Sequence, residues 1–394
     1  MVAQKMKVTL KGEMVREADV ERTPLDYPGL QGRAEACMGR TQNGDIWAAV
    51  GFNTGGGWPG TGANPERLFR STDDGRTWTG RPLGPTGDER LCGFTVLADD
   101  TLLLAVWGLG DVKFHRSTDL GESWESPAIL SPAPFEAIGE GFLSLTQLRD
   151  GTVLFPVARY NRKPEGVPNE HPQHVFRSED GGRTWYGGGD PEDSDFEAIG
   201  EGPERSWPGV GGTFPGCLET HLLELASGRV LAAFRYSGFQ QPWHRDKVEE
   251  WGGDPEGDGI GRLFKHVFLG ESDDGGRTWR DLRPVLDSNG TPLLMLGECH
   301  GQLVQVPDGR VVLVNDRRYP YEEGDVRARV SDDEGRTWSP EVYQVSSGAG
   351  YPASVALEDG TIVTVTGNSQ LDRHGVEGDL AGSAQAVRWR LPDL

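Results

Sequence analysis

The chain has 394 residues, 61 acidic against 39 basic, and a formal net charge of −22, so neither a nucleic acid nor an anionic membrane surface is an expected partner. There is no run of about 18 consecutive apolar residues, and Met1–Leu10 lacks an apolar core and a cleavage-site pattern, so the expectation is a cytoplasmic protein, neither exported nor membrane-spanning. Fifty-seven glycines, 26 prolines and 12 tryptophans, without a sustained apolar period of 3.6, point to many short strands and turns rather than helices.

Taken in chain order, the first predicted element is the strand Met6-Lys-Val-Thr-Leu10, which is expected to close the last repeat as a strap. An apolar strand that enters a tight turn and leaves as a second strand then recurs six times, with turns at Asn43-Gly44, Asp99-Asp100, Asp150-Gly151, Ser227-Gly228, Asp308-Gly309 and Asp359-Gly360. After each of the first five comes the pattern Ser-x-Asp-x-Gly-x-Thr/Ser-Trp, at Ser71–Trp78, Ser117–Trp124, Ser178–Trp185, Ser272–Trp279 and Ser331–Trp338. The Asp can accept hydrogen bonds from its own turn, the Gly tolerates positive φ, and the Trp packs back over the hairpin. A device used five times is a folding device and not one active site. The last unit ends instead in Ala384-Gln-Ala-Val-Arg-Trp-Arg-Leu391.

Successive hairpin turns are 56, 51, 77, 81 and 51 residues apart, so Tyr186–Pro215 and Ser237–Arg262 are insertions. Strand parity sends both to the face opposite the repeated turns. Trp207, Trp243 and Trp251 in them are candidates for loop packing or sugar platforms. Phe135-Glu-Ala-Ile-Gly-Glu-Gly141 recurs verbatim as Phe196–Gly202. The four cysteines, Cys37, Cys92, Cys217 and Cys299, match neither a disulfide framework nor a zinc spacing, so buried thiols are expected, with no metal and no cofactor.

Ser-x-Asp-x-Gly-x-Thr/Ser-Trp resembles the Asp box (BNR repeat) of the sialidase, or neuraminidase, superfamily. The resemblance and the six units imply an all-β fold, a single six-bladed β-propeller over residues 1–394 with four-stranded antiparallel blades. Counting nine residues back from each turn reaches the far end of each innermost strand, at the mouth of the central funnel. The positions are Glu35, Leu91, Phe142, Glu219, His300 and Tyr351. A Glu, a His and a Tyr on three consecutive blades supply the groups that acid–base chemistry needs. Counting seven to nine residues forward reaches Arg159, Arg235, Arg317 and Arg318.

At these positions the resemblance extends to the site. Cys217–Arg235 looks like the family's segment with the glutamate that activates the nucleophile and the second carboxylate-binding arginine. Gly350–Gly360 looks like its tyrosine-nucleophile segment. A phenol paired with a carboxylate base avoids the repulsion that a carboxylate nucleophile would meet from an anionic sugar, and an arginine fork holds the sugar's carboxylate. Two departures stand out. Gly32-Arg-Ala-Glu-Ala-Cys37 replaces the family's Arg-Ile-Pro, which puts Glu35 where an anion is unwelcome, and Asn53–Leu68 holds only Glu66 as an acid where an acid/base aspartate is expected. The resemblance thus implies an exo-acting glycoside hydrolase of a terminal acidic sugar, with Tyr351 as nucleophile, Glu219 as its base and Arg235 with Arg317 or Arg318 on the carboxylate; the counted offsets add His300 as a catalytic candidate and Arg159 and Glu35 as substrate-lining ones. The alternatives are a polysaccharide lyase on uronates, with Tyr351 and His300 as base and acid, and a non-catalytic carbohydrate-binding propeller whose funnel would hold no pKa-perturbed group.

Overall fold

A computed structural model describes residues 6–8, 14–25, 33–53, 66–86, 89–108, 110–133, 136–139, 144–160, 173–188, 199, 217–238, 264–293, 297–317, 324–347, 350–367 and 384–392. Phe142, Arg318, Trp207, Trp243 and Trp251 lie outside the described residues.

Every regular element among the described residues is a strand. The chain opens with β1 (Met6–Val8), β2 (Met14–Glu17) and β3 (Val20–Pro24). Blade one holds β4 (Arg33–Arg40), β5 (Ile46–Asn53), β6 (Glu66–Ser71) and β7 (Thr79–Pro82). Blade two holds β8 (Arg90–Val96), β9 (Leu102–Trp107), β10 (Val112–Ser117) and β11 (Ala128–Leu130). In blade three, β12 (Ala137–Gly139) and β13 (Thr146–Gln147) share one partner, β14 (Val153–Tyr160), followed by β15 (Gln173–Ser178) and β16 (Tyr186–Gly187). Blade four is β17 (Cys217–Glu224), β18 (Val230–Gly238), β19 (Phe264–Ser272) and β20 (Arg280–Pro284). Blade five is β21 (Glu298–Gln305), β22 (Val311–Arg317), β23 (Asp325–Ser331) and β24 (Val342–Ser347). Blade six is β25 (Ala353–Ala356), β26 (Thr361–Gly367) and β27 (Ala384–Arg390), completed by β3. The fold is a six-bladed propeller of four-stranded antiparallel blades. Second strands such as β9, Leu-Leu-Leu-Ala-Val-Trp, are buried throughout because blades cover both their faces, which is why they read as unbroken apolar runs.

The closing strand differs from the expectation. Val20–Pro24 pairs antiparallel with β27, from Val20↔Trp389 to Pro24↔Gln385, and Leu25 N–H continues onto the Ala384 carbonyl at 2.9 Å. Met6–Val8 pairs with β2, which adds parallel to β24 on the outer edge of blade five. The reason is chain order: each outermost strand feeds directly into the next blade's innermost strand, so the strap must be the last strand before blade one. Leu25 anchors that passage among Ala36, Ala48 and Ala386.

The repeated turns behave as locks. Asp73 Oδ1 accepts from the N–H groups of Arg76 at 3.1 Å and Thr77 at 2.8 Å, its Oδ2 accepts from Thr77 Oγ1 at 2.7 Å, and Ser71 Oγ accepts from Gly75 N–H at 2.8 Å. Partial burial raises the Asp73 carboxyl, but the bonds from Thr77, Ser71 and Arg76 outweigh it and hold it at about 2. Asp119, Asp180, Asp274 and Asp333 each repeat the side-chain bond from the Ser two places before them. Gly75 has φ +82, and a Cβ there would stand 2.9 Å from Val363 of blade six, so the turn also needs glycine to seat against its neighbour.

A set of arginines ties each such turn to the preceding blade. Arg388 of blade six donates to the Asp74 carbonyl at 2.8 Å, Arg81 of blade one to Leu120, Arg116 of blade two to Gly181, and Arg177 of blade three to Gly275. Blade four contributes two, Arg229 to the Glu334 carbonyl at 2.6 Å and Arg283 to Gly335 at 2.9 Å. Ile138 and Ile199, equivalent positions of the duplicated heptapeptide, are both buried against blade three, the first opposite Arg159 and the second bridged to Gln173.

Candidate active site

The innermost strands of blades four, five, six and one succeed one another around the axis, and their far ends bring Glu219, His300, Tyr351 and Glu35 into one cluster. Two of these strands are bulged at the same level. In β17, Leu218 pairs with Arg235 and His221 with Ala233, so Glu219 and Thr220 stand opposite Phe234 alone. In β21, Cys299 pairs with Asp316 and Gln302 with Val314, so His300 and Gly301 stand opposite Asn315 alone. Glu219 has φ +53 and His300 φ +49. A non-glycine residue in this left-handed region costs about 1–3 kcal/mol, and a bulge is a device that re-aims a side chain. Gly301 shows what the local sequence contributes: a Cβ there would stand 3.0 Å from Val267 and 3.2 Å from Ala233, so a side chain at this level would press blade five against blade four.

The bulges aim the two side chains at each other. Glu219 Oε1 accepts from Arg235 Nη1 at 2.6 Å, and Oε2 lies 2.8 Å from His300 Nε2. His300 Nδ1 bonds to Asp316 Oδ1 at 2.8 Å, and the imidazole and Tyr351 rings pack with centroids 3.5 Å apart at 37°. His300 and Asp316 are fully buried, whereas the Glu219 side chain keeps 12% of its exposure. Of these three, Glu219 is therefore the one that can meet a substrate, with His300 and Asp316 behind it.

On the other side of Tyr351, Glu35 bridges it backbone to backbone. The anion at Glu35 is met by Arg90 of blade two, whose Nε and Nη2 reach Glu35 Oε2 at 3.1 and 2.6 Å. Glu66 lies next to this pair and accepts the N–H of Leu91. Burial drives its carboxyl up, the Leu91 amide and Arg90 draw it down, and Glu35 adds to the rise, leaving it at about 8. Burial, with Glu35 next, likewise pushes the Cys37 thiol up to about 12, and Cys37, Cys92 and Cys299 are buried free thiols.

Of the remaining expected residues, Arg159 and Arg317 are described. Arg159 donates to the carbonyls of Gly188 at 2.9 Å and Pro132 at 3.3 Å and lies 5.4 Å over the Phe176 ring, within blade three. Arg317 is buried in blade five, its Nε 3.5 Å from Asp325, which also takes Arg327 at 2.9 and 3.0 Å. Arg90 and Asp316 escaped sequence reasoning. Asp316 stands seven residues beyond Gly309, inside the window searched for arginines, and Arg90 stands one place before Leu91, whose side chain is buried. Among the described residues no group of three or more His, Cys, Asp or Glu side chains is placed to hold a metal ion.

No family model matches the chain, and no curated protein matches it in sequence. Solved structures do match in fold. A Dyadobacter fermentans protein of unknown function is 18% identical with a TM-score of 0.67, over 94% of this chain and 99% of its own. The Hadza microbial sialidase Hz136 is 15% identical with a TM-score of 0.57, over 91% of this chain and 66% of its own. The Penicillium chrysogenum α-L-arabinanase, solved with arabinobiose, is 14% identical with a TM-score of 0.56, over 95% of this chain and 98% of its own. What this chain shares with them is the propeller arrangement, the one common to sialidases and arabinanases.

Proposed function

We propose that the chain is a sialidase-like glycoside hydrolase that removes a terminal acidic sugar at this funnel, with Tyr351 as nucleophile and Glu219 as its base. The observation that carries the reading is Glu219 itself: a carboxylate held by Arg235 on strained bulged backbone and set beside His300, whose imidazole packs on the Tyr351 ring. Strain of this kind persists where the surrounding structure over-determines it, and such places cluster at active sites. The Tyr351 phenol attacks the anomeric carbon as its proton passes to Glu219, and that proton leaves on the departing alcohol. Water then attacks the tyrosyl-glycoside, and its proton returns through Glu219 to the phenolate, so no proton is gained or lost. Arg235 offers a cation to the sugar's carboxylate, and Arg318 is proposed to join it.

Tyr351→Phe removes only the hydroxyl. Turnover should fall by at least about 10²-fold on whichever of a panel of fluorogenic sialosides, uronides and arabinosides the wild type cleaves. Wild-type turnover in the variant would end the nucleophile reading.

A further inference from the structure

Behind Glu219 stands a fully buried pair that no sequence motif marks. Asp316 lies on β22, in register with Cys299 and Val326, and its Oδ1 is 2.8 Å from His300 Nδ1. The opposite ring nitrogen, Nε2, is 2.8 Å from Glu219 Oε2. We propose that Asp316 is a positioning residue for Glu219: it fixes the imidazole of His300 in one orientation and one tautomer, with the hydrogen on Nδ1, and so dedicates Nε2 to the Glu219 carboxylate. This rests on the reading of Glu219 as the base, and it adds no covalent step to that reaction.

The reasoning is one of donor and acceptor inventory. An ionised carboxylate only accepts, so the nitrogen facing Asp316 must carry a hydrogen for the bond to exist. A neutral imidazole has a single N–H, and what one nitrogen bonds to decides what the other can do. With the single N–H on Nδ1, Nε2 offers a lone pair and no hydrogen, so it accepts from Glu219 once the base has taken its proton, and the protonated form gains a partner. Without Asp316 the ring could turn or change tautomer and face the carboxylate with the wrong group. Cross-strand geometry supports the arrangement. The bulge at His300 and Gly301 brings the imidazole to the level of Asp316, and the Tyr351 ring, 3.5 Å away between centroids, closes one face of the imidazole against rotation. Arg235, on the other Glu219 oxygen, stops the carboxylate from swinging away from His300.

The test uses the full-length protein labelled with 15N-histidine, with the His300 signals assigned by their loss in His300→Gln. In the wild type, Nδ1 of His300 should carry its hydrogen, and in Asp316→Asn that preference should disappear, because an amide can accept from Nδ1 or donate to it. A wild-type ring whose hydrogen sits on Nε2 alone, or a spectrum unmoved by Asp316→Asn, overturns the proposal. With the fluorogenic glycoside that the wild type cleaves, Asp316→Asn should lower kcat about 10-fold or more and leave KM within about twofold, since the wrong tautomer behind a reacting group is costly in rate. A tautomer that moves with kcat unchanged also overturns the positioning role. If Asp316→Asn does not fold, the wild-type spectrum still decides the tautomer, and His300→Gln, which replaces the ring that Asp316 orients with an amide that has no tautomer to fix, supplies the turnover arm with the same expected loss. Wild-type turnover in Tyr351→Phe, by contrast, would remove the hydrolase reading and leave the spectral result standing.

Discussion

Glu66→Gln tests the electrostatics around the buried Glu35–Arg90 pair through stability. Glu66 is 3% exposed, and its carboxyl is pushed from 4.5 to about 8, first by burial and then by Glu35 against the pull of the Leu91 amide. The native protein therefore keeps a proton that the unfolded chain releases above 4.5. Because the folded-state value is raised, this contribution is complete below 4.5 and is lost as the pH climbs through about 8. Between those limits the native state is penalised by about 1.4 kcal/mol per pH unit, or roughly 3 kcal/mol between pH 5 and 7. Glutamine keeps an oxygen for the Leu91 N–H and an N–H₂ where the protonated acid has its hydroxyl, so it preserves the packing without the titration. Denaturant unfolding of both proteins at pH 5, 6 and 7 measures the difference. The variant should gain on the wild type with each step, by about 1.4 kcal/mol per unit. A constant difference across this range would refute the reasoning, because it would mean that Glu66 is ionised in the folded protein throughout.

Two further predictions concern the lock of the Ser272–Trp279 turn. Asp274→Ala strips the acceptor from Arg277 N–H at 3.0 Å and Thr278 N–H at 2.9 Å and should destabilise by about 1–3 kcal/mol in thermal or denaturant unfolding, with turnover per folded molecule unchanged. Lost turnover at an unchanged Tm would speak against a structural role. Arg177→Met, which removes the donor to the Gly275 carbonyl, should destabilise by a similar amount, and the double variant should lose measurably less than the sum, because both residues brace one turn. Additive losses would show that the clasp from blade three and the lock within blade four act independently.

What the sequence made legible follows from how local each cause is. The repeated turns could be read because each Asp bonds within four residues of itself, as with Asp73 and Thr77, so the whole device is written in one short pattern. The cluster of Glu35, Glu219, His300 and Tyr351 was within reach because blades repeat and equal offsets from equal turns land at equal heights. Arg90 and Asp316 were not, because what places them is a relation between strands: Arg90 crosses from blade two to Glu35 of blade one, and Asp316 meets His300 across a bulge. The closing strand was misplaced for a related reason. Met6–Val8 and Val20–Pro24 are both acceptable strands, and only the need to enter blade one directly through Leu25 chooses between them.

The bulges explain why a site can stand on a scaffold so regular. In an unbroken blade strand, alternate side chains point into the two neighbouring blades, and those directions are already filled, as the burial of β9 and β22 on both faces shows. Glu35 joins the cluster in unbroken register, but on blades four and five the side chains reach it by leaving that alternation. One extra residue does so locally, at the level where Glu219 and His300 take positive φ, while the pairs His221↔Ala233 and Gln302↔Val314 restore the register immediately below. The propeller below the bulge is thereby left to the apolar packing that stabilises it, and the residues above it are released for chemistry. The strain falls on the two residues that carry the proposed reaction or support it. Relieving it with glycine at position 300 would remove the imidazole, so in this site the strained backbone and the functional side chain belong to the same residue.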